Sequence, residues 1–139
     1  MRIRAFHEGD TDEVVALWEA CGLVRPWNDP RRDIRRKLTE QPELFVVGEV
    51  DERVVATVMA GYDGHRGWLN YLAVDPSERR HGHGRMLVEH VARLLTQRGC
   101  PKLNLQVRAG NEGAVAFYRS LGFQVDDVVS MGRRLIADD

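Results

Sequence analysis

Leu72-Ala73-Val74-Asp75-Pro76-Ser77-Glu78-Arg79-Arg80-His81-Gly82-His83-Gly84-Arg85 carries a strand into a glycine-containing loop and out into a helix. A helix start offers unpaired backbone N–H groups and the positive end of the helix dipole, and glycine lets a phosphate approach the backbone. Arg79, Arg80 and Arg85 add cationic charge at the same place. Two readings fit these residues: an anion-binding turn, or a tight strand–helix connection with exposed arginines. Two nucleotide motifs do not fit. After Gly82 and Gly84 the third glycine position of the dinucleotide fingerprint is Leu87, no acidic residue follows at about 20 residues, and no Walker lysine is present.

Downstream, Leu87, Val91, Leu94 and Leu95 recur at helical spacing from about Gly84 to Arg98, and Gly99 ends that helix. Lys102 to Arg108 then reads as a strand. A strand–helix–strand unit from Trp68 to Arg108 implies a right-handed crossover and a parallel pair. Upstream, Arg2 to Phe6 alternates as a strand. Asp10-Thr11-Asp12-Glu13 resembles a capping box ahead of Val14, Leu17, Trp18 and Cys21 at helical spacing, and Gly22 ends the helix. Asp29-Pro30 reads as N-cap and first position of a second helix with Ile34 and Leu38 on its apolar face. Leu44–Val50 and Val54–Tyr62 form a hairpin through Asp51-Glu52-Arg53, and Asp63-Gly64-His65-Arg66-Gly67 turns into the strand Trp68–Val74. Asn111 caps a last helix through Ala114, Phe117, Tyr118 and Leu121, and Gln124–Ile136 reads as one or two closing strands. The expected fold is a single α/β or α+β domain over residues 1–139, with a mixed, mostly antiparallel sheet whose fourth and fifth strands are parallel.

At 139 residues, 43% hydrophobic and 29% charged, the chain has the composition of a globular domain rather than of a disordered or disulfide-framed one. Its 20 Lys plus Arg against 21 Asp plus Glu give a net charge of −1, which argues against bulk nucleic-acid or membrane binding. The N-terminus lacks the apolar region of a signal peptide, and no apolar run approaches the ~20 residues of a membrane span. Cys21 and Cys100 lie in no metal or redox spacing, so free thiols and a cytoplasmic location are expected.

Two motifs identify a resemblance. Arg79-x-x-Gly82-x-Gly84 after a strand ending in Val74 resembles the (Q/R)xxGx(G/A) pyrophosphate loop of the GNAT N-acetyltransferases. Asn111-x-x-Ala114-x-x-Phe117-Tyr118-x-x-x-Gly122-Phe123 is similar to that family's NxxAxxFYxxxGF helix. The resemblance spans essentially the whole chain, and its Trp27-Asn28-Asp29-Pro30 and Tyr62–Gly67 stretches look most like the small bacterial YpeA-type branch. It implies a splayed parallel pair at strands four and five, about four flanking helices, and acetyl-CoA as co-substrate without a metal. The backbone from Arg79 and Arg80 through His81, Gly82, His83 and Gly84 to Arg85 would take the pyrophosphate. Leu72, Ala73 and Val74 would pair with the pantetheine, with Asn111 and Phe117 beside it. Tyr118 would protonate the leaving thiolate. The residues' own chemistry leaves Asn111 readable as a plain N-cap and Tyr118 as a core aromatic.

The departures from the family pattern concern the base. Positions where relatives carry glutamate on the fourth or fifth strand are Asn70 and Gln106 here, and an amide cannot take a proton. A lysine amine (pKa ~10.4) costs about 4.6 kcal/mol to deprotonate at pH 7, an α-amine (~7.7–8) only about 1–1.4. A low-pKa amine or a water relay is therefore favoured over substitute bases at His65, Asp63 or Glu49. Trp27, Asn28, Tyr62 and His65, together with Asn70 and Gln106, are the candidate acceptor residues; Trp68 and Tyr71 either line the same cleft or fill core. His81 and His83 lack metal-ligand partners at suitable spacing, and Ser77, Ser120 and Ser130 lie in no GxSxG. Arg31, Arg32, Arg35, Arg36 and Lys37 read as a solvated basic helix face that in this family borders the acceptor, which would suit an acidic one. The reading is an acetyl-CoA-dependent N-acetyltransferase acting on a small-molecule or peptide amine, as monomer or homodimer with no nucleic-acid or membrane partner. A non-catalytic acyl-CoA sensor is the rival.

Overall fold

The computed structural model describes residues 1–138. One sheet runs β1 (Arg2–Ala5), β2 (Phe45–Val50), β3 (Arg53–Tyr62), β4 (Gly67–Val74) and β5 (Leu103–Leu105) in spatial order. All neighbours are antiparallel except β4 and β5, which are parallel. The helices are α1 (Thr11–Ala20), α2 (Pro30–Lys37), α3 (His83–Gln97) and α4 (Glu112–Ser120). The mixed sheet, its parallel pair and the four helices match the expected architecture.

Pleat alternation sorts the core onto the two faces of the sheet. Phe45 and Val47 of β2 pack with Val14, Trp18 and Ile34 from α1 and α2, while Val46 and Val55 pack with Leu87, Val91 and Leu95 from α3. Burying side chains of this kind is worth about 1.5–3 kcal/mol each, so β3, inward on both faces, anchors the fold. The hairpin closes through Asp51 and Glu52, both at positive φ (51° and 63°), the backbone a two-residue type I′ turn needs.

Three local expectations are corrected. Asp10 does not cap α1: its carboxylate accepts from the His7 N–H at 2.8 Å and pairs with Arg4 at 2.7 Å, closing a short 3₁₀ turn instead. The fifth strand is three residues, not Lys102–Arg108, because the chain turns away from β4 after Leu105. Gln124–Ile136 forms no strand. Its alternation would need an adjacent backbone to pair with, and among the described residues no strand lies along the outer edge of β5.

Candidate active site

Strand β4 carries a bulge. The β3 partners step from Thr57↔Ala73 to Met59↔Asn70, so Tyr71 and Leu72 share the space opposite Val58, and Tyr71 sits at φ 52°. A left-handed tyrosine costs of order 1–3 kcal/mol and persists only where its surroundings hold it. They do so at three points. Thr57 Oγ1 donates to the Tyr71 carbonyl at 2.9 Å and itself accepts from Trp18 Nε1 at 2.9 Å. The Trp18 and Tyr71 rings stack at 3.8 Å. The Tyr71 hydroxyl donates to Asp33 Oδ2 at 2.6 Å, tying the bulge to α2. Burial and that carboxylate both push the Tyr71 pKa up, so the hydroxyl stays a donor.

Below the bulge the sheet opens. β4 and β5 pair only from Gly67↔Leu103 to Leu69↔Leu105, so the β5-facing edge of β4 beyond Leu69 has no strand partner. The opening is a cleft of about 840 Å³. Leu72, Asn111, Ala114 and Tyr118 line it, together with Asn28, Asp33, Lys37, Asn70, Gln106 and Arg108.

Tyr118 arrives on α4, whose start is fixed by Asn111: its Oδ1 accepts from the Ala114 N–H at 3.1 Å. The Tyr118 ring packs edge-on to Phe117 and Phe123, at 5.1 and 5.6 Å. Burial raises its pKa to about 12. Its hydroxyl makes no hydrogen bond among the described residues, leaving a donor free toward the cleft.

The Arg79–Arg85 loop has the features of an anion site. Arg80 and Gly82 are both left-handed, at φ 70° and 77°. No backbone N–H from Arg79 to Arg85 donates within the described residues, and the first bond of α3 runs from the Met86 N–H to the Gly82 carbonyl at 3.0 Å. Arg79, Arg80 and Arg85 are exposed and free of ion pairs among the described residues. Gly84 has a packing role: a Cβ there would sit 3.2 Å from Phe117 Cζ and 3.6 Å from Val74 Cγ2, so its absence lets α3, α4 and β4 converge. His83 turns its ring inward, Nε2 lying 3.3 Å from Glu78, which leaves its backbone rather than its ring for a ligand. His81 remains exposed.

The acceptor candidates divide. Asn28, Asn70 and Gln106 line the cleft, whereas Trp27 stands at its rim, half-exposed, with the Arg108 guanidinium 5.6 Å from its ring. Tyr62 packs with the α3 layer, on the other side of the sheet. His65 is exposed in the β3–β4 turn, where Asp63 accepts from its backbone N–H at 2.8 Å. Glu49 pairs with Arg4 at 3.0 Å on the far strands. None of these three substitutes for a base lines the cleft. Of the two aromatics left open between cleft and core, Tyr71 lines the cleft and Trp68 is half-exposed on the sheet.

Sequence reasoning passed over Asp33 and Arg108, and it took Lys37 for part of a solvated helix face. Lys37 belongs to the basic run of α2 but lies on the same helix face as Ile34; it is buried, with Nζ donating to the Ala60 carbonyl. Desolvation lowers its pKa. The signal was the i, i+3 spacing to Ile34, which the surrounding arginines mask.

The "Acetyltransferase (GNAT) family" model matches residues 11–123. The chain is also 48% identical over 138 residues to an acetyltransferase of Yersinia enterocolitica, covering 99% of this chain and 98% of the relative. The chain belongs to the GNAT acetyltransferase family. Among solved structures, the ribosomal-protein-S18-alanine N-acetyltransferase of Escherichia coli superposes on this GNAT protein with a TM-score of 0.72 at 26% identity, covering 88% of this chain and 77% of that one. An aminoglycoside 6′-N-acetyltransferase of Acinetobacter haemolyticus shares the fold at a TM-score of 0.76 and 20% identity, over 98% of this chain and all of that one. This GNAT member is thus an acyltransferase of a family that uses acetyl-CoA. No helix among its described residues is long and apolar enough to cross a membrane.

Proposed function

We propose that this protein transfers the acetyl group of acetyl-CoA to an amine by direct attack in a ternary complex. The opening of β4 from β5 beyond Leu69, with the unpartnered Tyr118 hydroxyl facing it, is the observation that carries this reading. The free N–H groups of Arg79–Arg85 suit the pyrophosphate, and the unpaired edge of β4 suits the amides of the pantetheine arm. Asn111 adds a side-chain amide beside that arm.

The attacking amine would enter from the Asn70 and Gln106 end. Neither amide can take its proton, so an amine that is partly neutral near pH 7 is the fitting nucleophile. As the tetrahedral oxyanion collapses, charge moves onto sulfur. A phenol of pKa about 12 is more than three units weaker than a thiol of ~8.5, so Tyr118 acts chiefly by donating a hydrogen bond to the departing thiolate. Holding both reactants in one cleft supplies much of the remaining acceleration.

Charge at the acceptor end supports an acceptor that also bears a carboxylate. Asp33 is engaged by Arg36 at 3.1 Å. Arg25, Lys37 and Arg108 line the cleft without an ion pair among the described residues, against Glu40 as the carboxylate in that position. The test is thiol release from acetyl-CoA with amino acids, their amides, acidic and neutral dipeptides, and polyamines. Faster turnover of carboxylate-bearing α-amines is expected. Binding of acetyl-CoA without turnover of any amine would favour the sensor, and preference for polyamines would overturn the charge reading.

A further inference from the structure

Of the 20 Lys and Arg residues in the chain only two are lysines, Lys37 and Lys102. Helix α2 shows the choice at close range. Arg31, Arg32, Arg35 and Arg36 occupy its exposed and half-exposed positions, and lysine occupies the buried one. A guanidinium keeps its proton throughout the range a protein meets, whereas an ammonium gives one up once burial makes its charge costly.

Lys37 is 9% exposed, and it makes no ion pair among the described residues. Its one hydrogen bond runs from Nζ to the Ala60 carbonyl. Capping that carbonyl does not call for a cation. β2 pairs with β3 only as far as Phe45↔Met59, and at Tyr62 the neutral amide of Gln41 closes both backbone groups, at 2.8 and 2.9 Å. The surrounding charges do not hold Lys37 as an ammonium either. Glu43 is paired with Arg98, Glu40 is exposed beyond the end of α2, and desolvation outweighs both carboxylates, lowering the Lys37 pKa. Within the cleft stand Arg25, Arg108 and Asp33, the last already engaged by Arg36 and the Tyr71 hydroxyl.

Register places the amine where the sheet opens. Ala60 pairs with Leu69, the residue at which β4 and β5 part, and Lys37 lines the cleft with Leu69, Asn70 and Gln106. We propose that Lys37 is the general base of the transfer, taking a proton from the acceptor nitrogen directly or through one water. The inference rests on the direct-attack reading. As the nitrogen lone pair bonds to the thioester carbonyl carbon, a proton on that nitrogen passes to the Nζ lone pair. The carbon–sulfur bond then breaks with its electron pair on sulfur, the thiolate takes a proton from solvent, and Lys37 returns its own to solvent. Arg25 and Arg108, which cannot deprotonate, are left to meet a carboxylate on the acceptor.

The ε-carbon resonances of isotope-labelled lysine, recorded on the full chain with coenzyme A bound, give one signal for each lysine. Lys102, paired with Asp126 at 2.9 Å, is the internal reference. Lys37 should titrate below the ordinary lysine value of ~10.4, and the lower limb of the kcat profile should fall at that same pH. Lys37→Gln keeps an N–H for the Ala60 carbonyl, and Lys37→Arg keeps both donor and charge; neither can take the proton. Each should lose about 100-fold in kcat and the limb with it, while KM for acetyl-CoA stays within a few-fold. Full rate in the arginine variant alone would make Lys37 a counterion, and full rate in both would make it a strand-edge cap. Either result overturns the base, as does a Lys37 signal titrating at the ordinary value, which needs no variant to fold. A wild type that turns over no amine defeats the direct-attack reading itself.

Discussion

Tyr118→Phe removes one oxygen and leaves the ring. The hydroxyl has no hydrogen-bond partner among the described residues, and the ring contacts that position it, at 5.1 Å to Phe117 and 5.6 Å to Phe123, persist in the variant. Stability should therefore change by no more than about 0.5 kcal/mol. The transition state has more to lose: a hydrogen bond to a charged partner is worth about 1.5–3 kcal/mol, which at ~1.4 kcal/mol per decade means a fall in kcat of roughly 10- to 150-fold. The Michaelis constant for acetyl-CoA should move only a few-fold, since the ring still covers the cleft. Because burial holds the Tyr118 pKa at about 12, the wild-type rate should show no descending limb from this group up to pH 11. Initial rates of thiol release, with single-turnover measurements to establish that chemistry limits kcat, provide the assay. An unchanged kcat under those conditions, or a melting temperature lowered by many degrees, would refute the reasoning and return Tyr118 to a packing role.

Gly84→Ala drives a Cβ to 3.2 Å from Phe117 Cζ, so the ring must shift; acetyl-CoA affinity should fall several-fold with a stability loss of about 1 kcal/mol, checked by calorimetry and thermal melting. Tyr71→Phe removes the donor to Asp33 and should cost about 1–2 kcal/mol while raising KM for the amine more than KM for acetyl-CoA, with equal changes in both counting against a tie to the acceptor end. Asp10 is held below the usual carboxylate range, first by its hydrogen bond from Arg4; its stabilisation is present above pH ~4 and lost as pH falls through its depressed pKa, so Arg4→Met should flatten the acid limb of a stability–pH curve measured by denaturant melts.

What could be read from the sequence was what lies close together in the chain. The Arg79–Arg85 loop, the Asn111 cap and Tyr118 each sit in one strand–turn–helix or helix unit, so two local motifs and the family resemblance they carry were enough to single them out. Asp33, Lys37 and Arg108 come from α2 and the chain just past β5, and their convergence depends on where β5 stops, which no local pattern specifies. His65 and Tyr62 went astray because a turn adjoining a strand can serve either face of the sheet. The closing strands failed for a related reason: Val125, Val129, Met131 and Leu135 alternate as a strand does, but alternation describes a face without supplying a pairing edge.

The bulge at Tyr71 links the two halves of the cleft. Each hydrogen bond that keeps Tyr71 in its left-handed conformation reaches a different element: Thr57 of β3 donates to the carbonyl, Asp33 of α2 accepts from the hydroxyl, and Trp18 of α1 stacks on the ring. Straightening β4 would slide its side chains by one register position, sending Asn70 or Leu72 to the opposite face. The strain at one backbone position thus holds the donor-side edge of β4 and the acceptor-side wall of α2 in a single geometry. In the proposed reaction, that coupling would let a site with amides at Asn70 and Gln106 rely on positioning: where neither amide can draw off the proton, a remaining lever is how closely amine and thioester are held.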